Sequence, residues 1–322
     1  MPFKKQELEK AYRLMKTIRE FEERVNLEFT AGNIPGFVHL YAGQEAVAVG
    51  ACMHLTDKDY ISSTHRGHGH CIAKGCDVKK MMLEIMAKDA GLCRGKGGSM
   101  HIADIDKGML GANAIVGGGP PITVGAALSC KTLGTNNVAL CFTGDGGSNQ
   151  GTTFEAMNLA VVLNLPVIFV FENNGYGEGT AASYAVGCKD IAKRAEGFGM
   201  PSEQVNGTDF FEVSAAVKRA VERAQKGQGP TAIEADVVRF YGHFVGDPQL
   251  YRGNNEVKDL RKTRDCLSIF RDRAIAEHEF IMDELNQIDT EVMNLIEASV
   301  VEGLAASLPA DSELETDVYV AY

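Results

Sequence analysis

The chain has 322 residues, of which 45% are hydrophobic and 23% are charged, enough apolar sequence for one large α/β domain or two small ones. Its formal net charge of −11 argues against nucleic acid and anionic membrane surfaces as partners, because both attract basic proteins. No apolar stretch approaches the roughly 18 residues of a bilayer-spanning helix, and the N-terminus lacks the apolar core of a signal peptide. The eight cysteines show no C-x-x-C spacing, which favours reduced thiols and a cytoplasmic protein.

The first part of the chain predicts a long helix followed by glycine-rich loops. Apolar residues recur at helical spacing over residues 6–30, which predicts an amphipathic helix. Short helices are predicted between the loops, at Gln44–His54 and Val78–Lys88. The segment Gly108–Gly125 is rich in glycine yet apolar, whereas surface loops are usually polar. This favours a backbone wrapped around a buried ligand, with a tight turn into a helix near Gly125–Lys131 as the alternative.

The middle of the chain has the pattern of a strand–helix–strand unit. Val138–Phe142 and Val167–Phe171 are short, unbroken apolar runs, which is typical of buried parallel strands. Thr152 and Glu155 have the T-x-x-E spacing of a capping box, which predicts a helix start. Phe154–Leu163 is apolar nearly all round, so this helix is predicted to be buried.

The last third of the chain predicts one more sheet strand and a helical extension. A helix is predicted at Phe210–Lys226, a strand at Thr231–Phe240, and two charged amphipathic helices within residues 256–306. The sequence contains no internal repeat and no low-complexity linker. We therefore expect a single domain over residues 1–322: a doubly wound, mostly parallel α/β sheet with the N-terminal helix and a C-terminal helical extension over residues 256–322.

Asp145 and Asn174 are the strongest candidates for a ligand site. They lie 29 positions apart (174 − 145), each just beyond a predicted strand, and a crossover unit brings such strand ends together. A carboxylate and an amide supply hard oxygen ligands to Mg²⁺, which often completes its coordination with phosphates. Gly144, Gly146 and Gly147 permit an anion to approach the backbone closely. The pattern predicts a diphosphate held through a metal; an ordinary glycine turn beside an unrelated Asn pair is the alternative.

Two other nucleotide-binding classes fit the sequence poorly. A dinucleotide-binding fold needs G-x-G-x-x-G between a strand and a helix, and Asn149 stands where the third glycine belongs. A bare Asp145 would also repel a pyrophosphate unless a metal intervened. No G-x-x-x-x-G-K-[ST] follows a strand, so the P-loop class is disfavoured as well.

Several histidines lie in glycine-rich or turn-like segments. The run His65–Cys71 superficially suggests zinc, but structural zinc sites usually pair ligands from two separated knuckles, and the chain has one such cluster. Arg66 within this run is better suited to a phosphate oxygen. His39 and His243 lie on loops with apolar flanks, where a structural and a catalytic histidine are about equally expected.

Taken together, these motifs resemble those of the α subunits of thiamine-diphosphate-dependent 2-oxo acid dehydrogenases. The thiamine-diphosphate motif is GDG followed by NN after an intervening helix, as in Gly144–Gly146 and Asn173–Asn174. The resemblance runs from about Tyr12 to the C-terminus and is carried by YRLMKTIREFEERV, GFVHLYAGQEAVAVG, STHRGHG, RGKGGSMH, GDGGSNQG, ENNGYG and YGHFVGDP. Within the family, the acetoin dehydrogenase branch is similar in particular, through STHRGHGHCIAKGCD, SMHIADIDKGMLGAN, YGHFVGD and DSELETDVYVAY. The implied fold is of the thiamine-diphosphate-binding type.

The resemblance implies thiamine diphosphate and Mg²⁺ as cofactors. The cofactor-binding residues that it implies are His65, Arg66, Ala114, Val116, Asp145, Gly146, Gly147, Asn174 and Tyr176. Among these, Asp145, Asn174 and the backbone carbonyl of Tyr176 would hold Mg²⁺. Arg66 and the two glycines would hold the diphosphate, and His65 stands where relatives carry a tyrosine.

The resemblance also assigns residues around the ring system of the cofactor. Ala114 and Val116 would contact the aminopyrimidine ring. His39, His68 and His243 would line the route to the reacting carbon and act as the catalytic residues. Imidazoles near neutral pKa suit proton transfer at carbonyl and hydroxyl oxygens.

The activity implied by the resemblance is an oxidoreductase reaction on acetoin. It cleaves acetoin to acetaldehyde and passes the two-carbon remainder, as acetyl, to the lipoyl acyltransferase core of a multienzyme complex. A β subunit is implied as partner in an α2β2 heterotetramer, because in this family the β subunit supplies the glutamate that activates the cofactor. Pyruvate or a branched-chain 2-oxo acid is the alternative substrate, since both subunits build the acyl pocket. A cofactor-holding subunit that is inactive without its β partner is the alternative of another class.

Overall fold

The computed structural model describes residues 3–319 and contains a six-stranded parallel sheet, a two-stranded antiparallel hairpin and flanking helices. In chain order the strands are β1 (Tyr60–Ser62), β2 (Met109–Gly111), β3 (Ala139–Gly144), β4 (Val167–Asn173), β5 (Tyr176–Gly177), β6 (Thr180–Ala181), β7 (Ser202–Asn206) and β8 (Thr231–Asp236). The α-helices are α1 (Lys5–Thr30), α2 (Glu45–Cys52), α3 (His68–Lys74), α4 (Val78–Ile85), α5 (Gly119–Thr132), α6 (Gly151–Val162), α7 (Ala182–Ala185), α8 (Ile191–Glu196), α9 (Phe210–Gln225), α10 (Glu256–Thr263), α11 (Cys266–Glu277) and α12 (Met282–Ala305). Short 3-10 turns lie at Ile105–Lys107, Gly147–Asn149 and Asp311–Glu315.

The strands of the large sheet are arranged in the order β2-β1-β3-β4-β8-β7, and neighbouring strands are parallel. Alternate residues face opposite sides, so Leu140 and Phe142 enter one core while Cys141 enters the other. Helices α5, α6 and α8 cover one side of the sheet. Helix α9 covers the other side, where the core continues into α1, α2 and α12. The doubly wound α/β fold predicted from the sequence is therefore confirmed.

Helix α6 differs from its prediction at its start and in its burial. It begins at Gly151, and Thr152 donates its hydroxyl hydrogen bond to the backbone carbonyl of Gly117 at 2.8 Å. The predicted capping box is wrong, because the Thr152 hydroxyl holds the glycine-rich loop and does not cap the helix. The prediction of a buried helix is also wrong, since Leu159 and Val162 are exposed on its outer side.

The C-terminal part contains three helices where the sequence predicts two. Asp265 begins α11 by accepting a hydrogen bond from the backbone N–H of Leu267 at 3.1 Å. The same carboxylate pairs with Arg19 of α1 at 3.0 Å, so a tertiary contact determines where the helix is interrupted. Strand β8 ends at Asp236 and not at residue 240, because its pairing with β4 stops there. The assignment of residues 1–322 to a single domain stays a prediction.

The hydropathy of the helices and the state of the cysteines are also predicted from the sequence. No helix within residues 3–319 is both long and apolar enough to cross a membrane. All eight cysteines lie in the described range and are free thiols, six of them buried. Cys93 is partly exposed and Cys188 is exposed.

Candidate active site

A cavity of about 290 Å³ opens at the carboxyl ends of the parallel strands, next to β1 and β3. From these two neighbours the sheet extends in opposite directions, with β2 beyond β1 and β4 beyond β3. Such a point of divergence is where parallel α/β sheets bind ligands. The cavity is lined by residues within the segments 63–66, 113–120, 142–147 and 174–178, together with Gln44, Gln150, Glu172, Arg239 and His243.

Asp145 follows β3 directly and lies in the wall of this cavity with only 3% of its surface exposed. Burial raises the pKa of its carboxyl from 3.8 to about 6, against the opposing effects of backbone hydrogen bonds and of Arg239 and Arg66. A carboxylate in such a place is stabilised by a cation that binds it directly. Its environment therefore fits a metal ligand.

Asn174 reaches the same place from the neighbouring strand. Gly144 of β3 pairs with Glu172 of β4, so the residues beyond both strands emerge side by side. The Asn174 amide nitrogen donates to the side-chain oxygen of Gln44 at 3.2 Å, which fixes the amide orientation and leaves its oxygen as an acceptor. Tyr176, two residues further on, lines the cavity, and its backbone carbonyl accepts a long hydrogen bond from Arg239 at 3.4 Å. One carboxylate, one amide oxygen and one carbonyl form a donor set that fits a hard divalent cation such as Mg²⁺.

Glycines bring the backbone of two loops into direct contact here. A Cβ atom on Gly146 would lie 3.2 Å from the Cα of Gly177, and one on Gly177 would lie 3.1 Å from the Cα of Gly146. A Cβ atom on Gly147 would lie 2.5 Å from the hydroxyl oxygen of Thr143. A side chain at any of these positions would force its neighbours to shift, and with glycine the cavity wall is bare backbone that an anionic group can approach.

The apolar glycine-rich loop forms another wall. Ile115 and Val116 line the cavity although much of their surface is exposed, 71% and 49%. Ala114 lies between lining residues but is not itself one of them. Helix α5 begins directly after Gly118, so the loop is also the turn into a helix. The turn into a helix is therefore confirmed, and the wrapping of this loop around a ligand stays a prediction.

Two buried arginines face the cavity without an ion-pair partner among the described residues. Arg66 donates to the backbone carbonyls of Leu40 at 2.6 Å and His243 at 3.0 Å, and burial lowers the pKa of its guanidinium to about 9. Arg239, which is 1% exposed, donates to the hydroxyl of Tyr251 at 2.6 Å, and burial lowers its pKa as well. Two uncompensated guanidinium groups at one cavity suit a polyanion such as a diphosphate.

Arg239 is a site residue that the sequence interpretation missed. The sequence signal that could have identified it is a lone arginine in the otherwise apolar run Val237–Phe240, just beyond the end of β8. Charged groups are rarely placed in such runs unless they have a partner or a ligand. Gln44 was missed as well, and nothing in its local sequence distinguishes it.

His39, His65 and His243 form a compact cluster at the cavity. Their ring centroids are separated by 4.5 Å, 4.9 Å and 5.1 Å. Burial, reinforced by the charge of Arg66, lowers their pKa values to about 3, 2 and 4 respectively. All three imidazoles are therefore uncharged at neutral pH in the cofactor-free chain, and their pKa values lie below the near-neutral range expected from the sequence.

His68, the third predicted catalytic histidine, is not brought to the cavity. It is fully buried, with Nδ1 3.1 Å from the carboxylate of Glu22 and Nε2 2.8 Å from the hydroxyl of Ser99. Helix α3 begins at His68, and this turns the side chain toward α1. The structure thus does not place His68 on the route predicted for it, and the residue holds two segments together.

A buried polar network lies behind the cavity and was also missed. Glu172, the residue before the Asn pair, lines the cavity and accepts a hydrogen bond from the hydroxyl of Tyr41. The Nε2 atom of His70 lies 3.3 Å from the same carboxylate, and its Nδ1 atom lies 2.7 Å from the hydroxyl of Ser63. The network fixes the ends of β1 and β4 relative to each other.

The fold and this site define a class: an α/β protein with a cavity at the switch point of its sheet, lined by groups suited to a metal ion and a diphosphate. The model of the family described as "Dehydrogenase E1 component" matches residues 13–309. The α subunit of acetoin:2,6-dichlorophenolindophenol oxidoreductase from Cupriavidus necator is 54% identical over 100% of this chain and 97% of its own length. The corresponding subunit from Bacillus subtilis is 53% identical over 97% of this chain and 93% of its length.

A more distant relative is the pyruvate dehydrogenase E1 component subunit alpha of Rhizobium meliloti, at 39% identity over 98% of this chain and 91% of that protein. The chain belongs to the dehydrogenase E1 component family. Members of this family are thiamine-diphosphate-dependent oxidoreductases, so thiamine diphosphate is the cofactor that membership implies.

Proposed function

We propose that this chain is the α subunit of a thiamine-diphosphate-dependent acetoin dehydrogenase. The observation that carries the proposal is its 54% identity, along the whole chain, to the acetoin oxidoreductase α subunit of Cupriavidus necator, against 39% to the pyruvate dehydrogenase α subunit of Rhizobium meliloti. The cavity supports it through its oxygen donors, unpaired arginines and neutral histidines. Eight free thiols suit a reducing compartment, so we place the protein in the cytoplasm.

The residues of the cavity can hold the cofactor at both ends. Asp145, Asn174 and the carbonyl of Tyr176 would bind Mg²⁺, and the backbone at Gly146 and Gly147 would face the diphosphate. Arg66 and Arg239 would balance its negative charge, while the loop at Ala114 and Val116 would contact the aminopyrimidine ring. When bound, thiamine diphosphate supplies the nucleophilic carbon and the electron sink that cleavage next to a carbonyl group requires.

The histidine cluster would serve the proton transfers of the reaction. Release of acetaldehyde from acetoin requires removal of a proton from the hydroxyl group as the carbon–carbon bond breaks. His39 and His243 are neutral at physiological pH, and a diphosphate bound at Arg66 would offset the charge that lowers their pKa values and make each a better acceptor for this proton. His65 lines the cavity beside them. The apolar side chains of Ile115 and Val116 would keep water from the reacting carbon.

We further propose a β subunit as partner, in an α2β2 heterotetramer that serves a lipoyl acyltransferase core. The outer sides of α5 and α6 carry exposed apolar residues, which we call the α5–α6 face: Ile122, Leu128, Leu133, Leu159 and Val162. Ile115 and Val116 are also exposed, and they line the cavity in the loop that leads into α5. Exposed apolar residues gathered on neighbouring elements are typical of protein interfaces. Because the cavity lies beside this exposed apolar surface, a β subunit bound there would complete the active site.

The test is an assay of the purified α chain, alone and with its β subunit, using 2,6-dichlorophenolindophenol as electron acceptor. The assembled enzyme should reduce the dye with acetoin and much more slowly with pyruvate or branched-chain 2-oxo acids. The α chain alone should be inactive. Preference for pyruvate would transfer the assignment to a pyruvate dehydrogenase α subunit, which the relatives at lower identity favour. Activity of the α chain alone would contradict the shared active site.

A further inference from the structure

We propose that His39, His65 and His243 form a binding site for a divalent transition-metal ion such as Zn²⁺. The site is separate from the Mg²⁺ site proposed at Asp145, and it goes beyond the proposed dehydrogenase function. Each of the three imidazoles offers one nitrogen, and these nitrogens lie within 4.8 Å of one another. Imidazole is a preferred ligand of Zn²⁺, Cu²⁺ and Ni²⁺, whereas Mg²⁺ prefers oxygen.

The geometry needs only a small contraction to bind an ion. A tetrahedral zinc ion about 2.1 Å from each nitrogen holds its ligand atoms roughly 3.4 Å apart. The three rings are held by different segments, one after α1, one after β1 and one after β8. Rotation about the side-chain torsions therefore brings the nitrogens together without a change in the sheet. A fourth position stays open toward the cavity, as in zinc sites that keep an exchangeable ligand.

One ring nitrogen of the cluster is left unsatisfied by the part of the chain that the structure describes. The Nδ1 atom of His39 is buried and has no hydrogen-bond partner among the described residues. A buried nitrogen lone pair without a partner is a group that a cation can satisfy.

Charges around the cluster limit how tightly the ion binds. The guanidinium of Arg66 donates to the carbonyl of His243 at 3.0 Å, and Arg239 lies near enough to lower the pKa of the same histidine. The carboxylate of Asp247 acts in the opposite direction and accepts a hydrogen bond from the backbone of His243 at 2.6 Å. We expect binding weaker than in a structural zinc site, because two cations outweigh one anion.

The site arises from the three-dimensional arrangement and not from the histidine-rich run. Of the three histidines in His65–Cys71, His68 turns to Glu22 and His70 turns to Glu172. His65 alone of the three joins the cluster, through ring contacts with His39 and His243. A tyrosine there would remove the third imidazole. Because His65 and His243 both line the cavity, an ion between them would narrow the access of substrate to it.

The test uses the full chain in its native assembly, stripped of metal and kept in excess Mg²⁺ to occupy oxygen-rich sites. Co²⁺ is added without thiamine diphosphate or substrate, so the outcome does not depend on the dehydrogenase assay. Visible absorption should show one four-coordinate Co²⁺ per chain, and calorimetry with Zn²⁺ should give the same stoichiometry. The variant His65→Tyr should bind about 10- to 100-fold more weakly or worse, since even indirect contacts to a metal are worth that much.

Two further variants make the result decisive. His101→Tyr makes the same replacement at an exposed histidine outside the cluster and should bind Co²⁺ like the wild type. His243→Gln should weaken binding as His65→Tyr does, and circular dichroism shows that each variant is folded. Unchanged binding by folded His65→Tyr overturns the proposal. A sulfur-to-cobalt charge-transfer band also overturns it, because the ion would then be bound by a cysteine such as Cys188.

Discussion

At the residue scale, burial of the Asp145 carboxylate destabilises the folded chain, and the same carboxylate is the proposed ligand of Mg²⁺. Its carboxyl has a pKa of about 6 in the folded chain against 3.8 without burial. An acid whose pKa is raised by folding stabilises the folded state below the lower value and loses that contribution as pH rises through the higher one. Between pH 4 and pH 6 the free energy of unfolding of the cofactor-free chain should fall by on the order of 3 kcal/mol from this group.

The variant Asp145→Asn tests this argument. Without cofactor it should be more stable than the wild type above about pH 6, because the uncompensated charge is gone, and urea unfolding at several pH values measures the difference. Calorimetry of the assembled enzyme should find that Mg²⁺-dependent binding of thiamine diphosphate is lost. In the wild type, Mg²⁺ binding should weaken below about pH 6, where protons compete for the carboxylate. Retained binding by the variant would remove Asp145 from the metal site.

His243 is the histidine whose replacement should separate catalysis from assembly. It lies on the loop after β8, lines the cavity and is neutral at physiological pH. His243→Ala should lower turnover with acetoin about 100-fold or more, as expected for loss of a proton-transfer group, while the mass of the assembly is unchanged. His54→Ala is the matched control, since His54 is bonded to Ser214 outside the cavity and should leave turnover near wild type. Full activity of His243→Ala would contradict its catalytic assignment.

At the element scale, a buried ion cluster joins three helices behind the site. Arg19 of α1 pairs with Glu45 of α2 at 2.6 Å and with Asp265, which begins α11, at 3.0 Å. Glu45 is completely buried. Arg19→Met should lower the free energy of unfolding by about 3–5 kcal/mol, because it leaves a buried carboxylate without a counterion.

Urea unfolding of Arg19→Met beside Arg13→Met checks this prediction. Arg13 lies on the same helix and pairs with Glu291 at 2.7 Å, but both of these side chains are substantially exposed. Loss of this exposed ion pair should lower the free energy of unfolding by no more than about 1 kcal/mol. Equal effects of the two substitutions would show that the buried cluster contributes no more than a surface pair.

The same elements show what the sequence could and could not predict. Apolar patterning predicts α1, α9 and the strands β3 and β4 well, since their apolar residues face a continuous core, whereas the short strands β1, β2 and β7 are not predicted. The same patterning does not predict the start of α6 or the break before α11, where Thr152 and Asp265 contact residues distant in sequence. Local spacing carries no information about such contacts. The partner of His68 is not predictable for the same reason, because Glu22 lies 46 positions away.

At the scale of the whole molecule, the site residues that directly follow neighbouring strands are predictable from the sequence. Asp145 and Asn174 end neighbouring strands of a unit that the sequence displays, so their proximity follows from sheet geometry. Arg239 and Gln44 arrive from β8 and from the loop before α2, which only the complete strand order brings to the same cavity. The histidine cluster likewise joins three segments that are far apart in sequence.

The α5–α6 face gives the prediction that concerns the whole assembly. Leu159 and Val162 lie on its α6 side, where an isolated chain would leave them in contact with water. Light scattering of the co-expressed α and β chains should give the mass of four subunits. The double substitution Leu159→Glu and Val162→Glu should reduce that mass, because two carboxylates at an apolar interface lose their hydration without a partner.

The control for this prediction is Leu314→Glu, at an exposed leucine in the C-terminal 3-10 turn and away from α5 and α6. It should assemble like the wild type. The α5–α6 variant should also lose dye reduction with acetoin, because an active site shared between subunits needs the interface. Its α chain should still unfold cooperatively, because the fold of the α chain does not depend on that interface. Assembly and activity that both survive the double substitution would move the interface to another surface of the molecule.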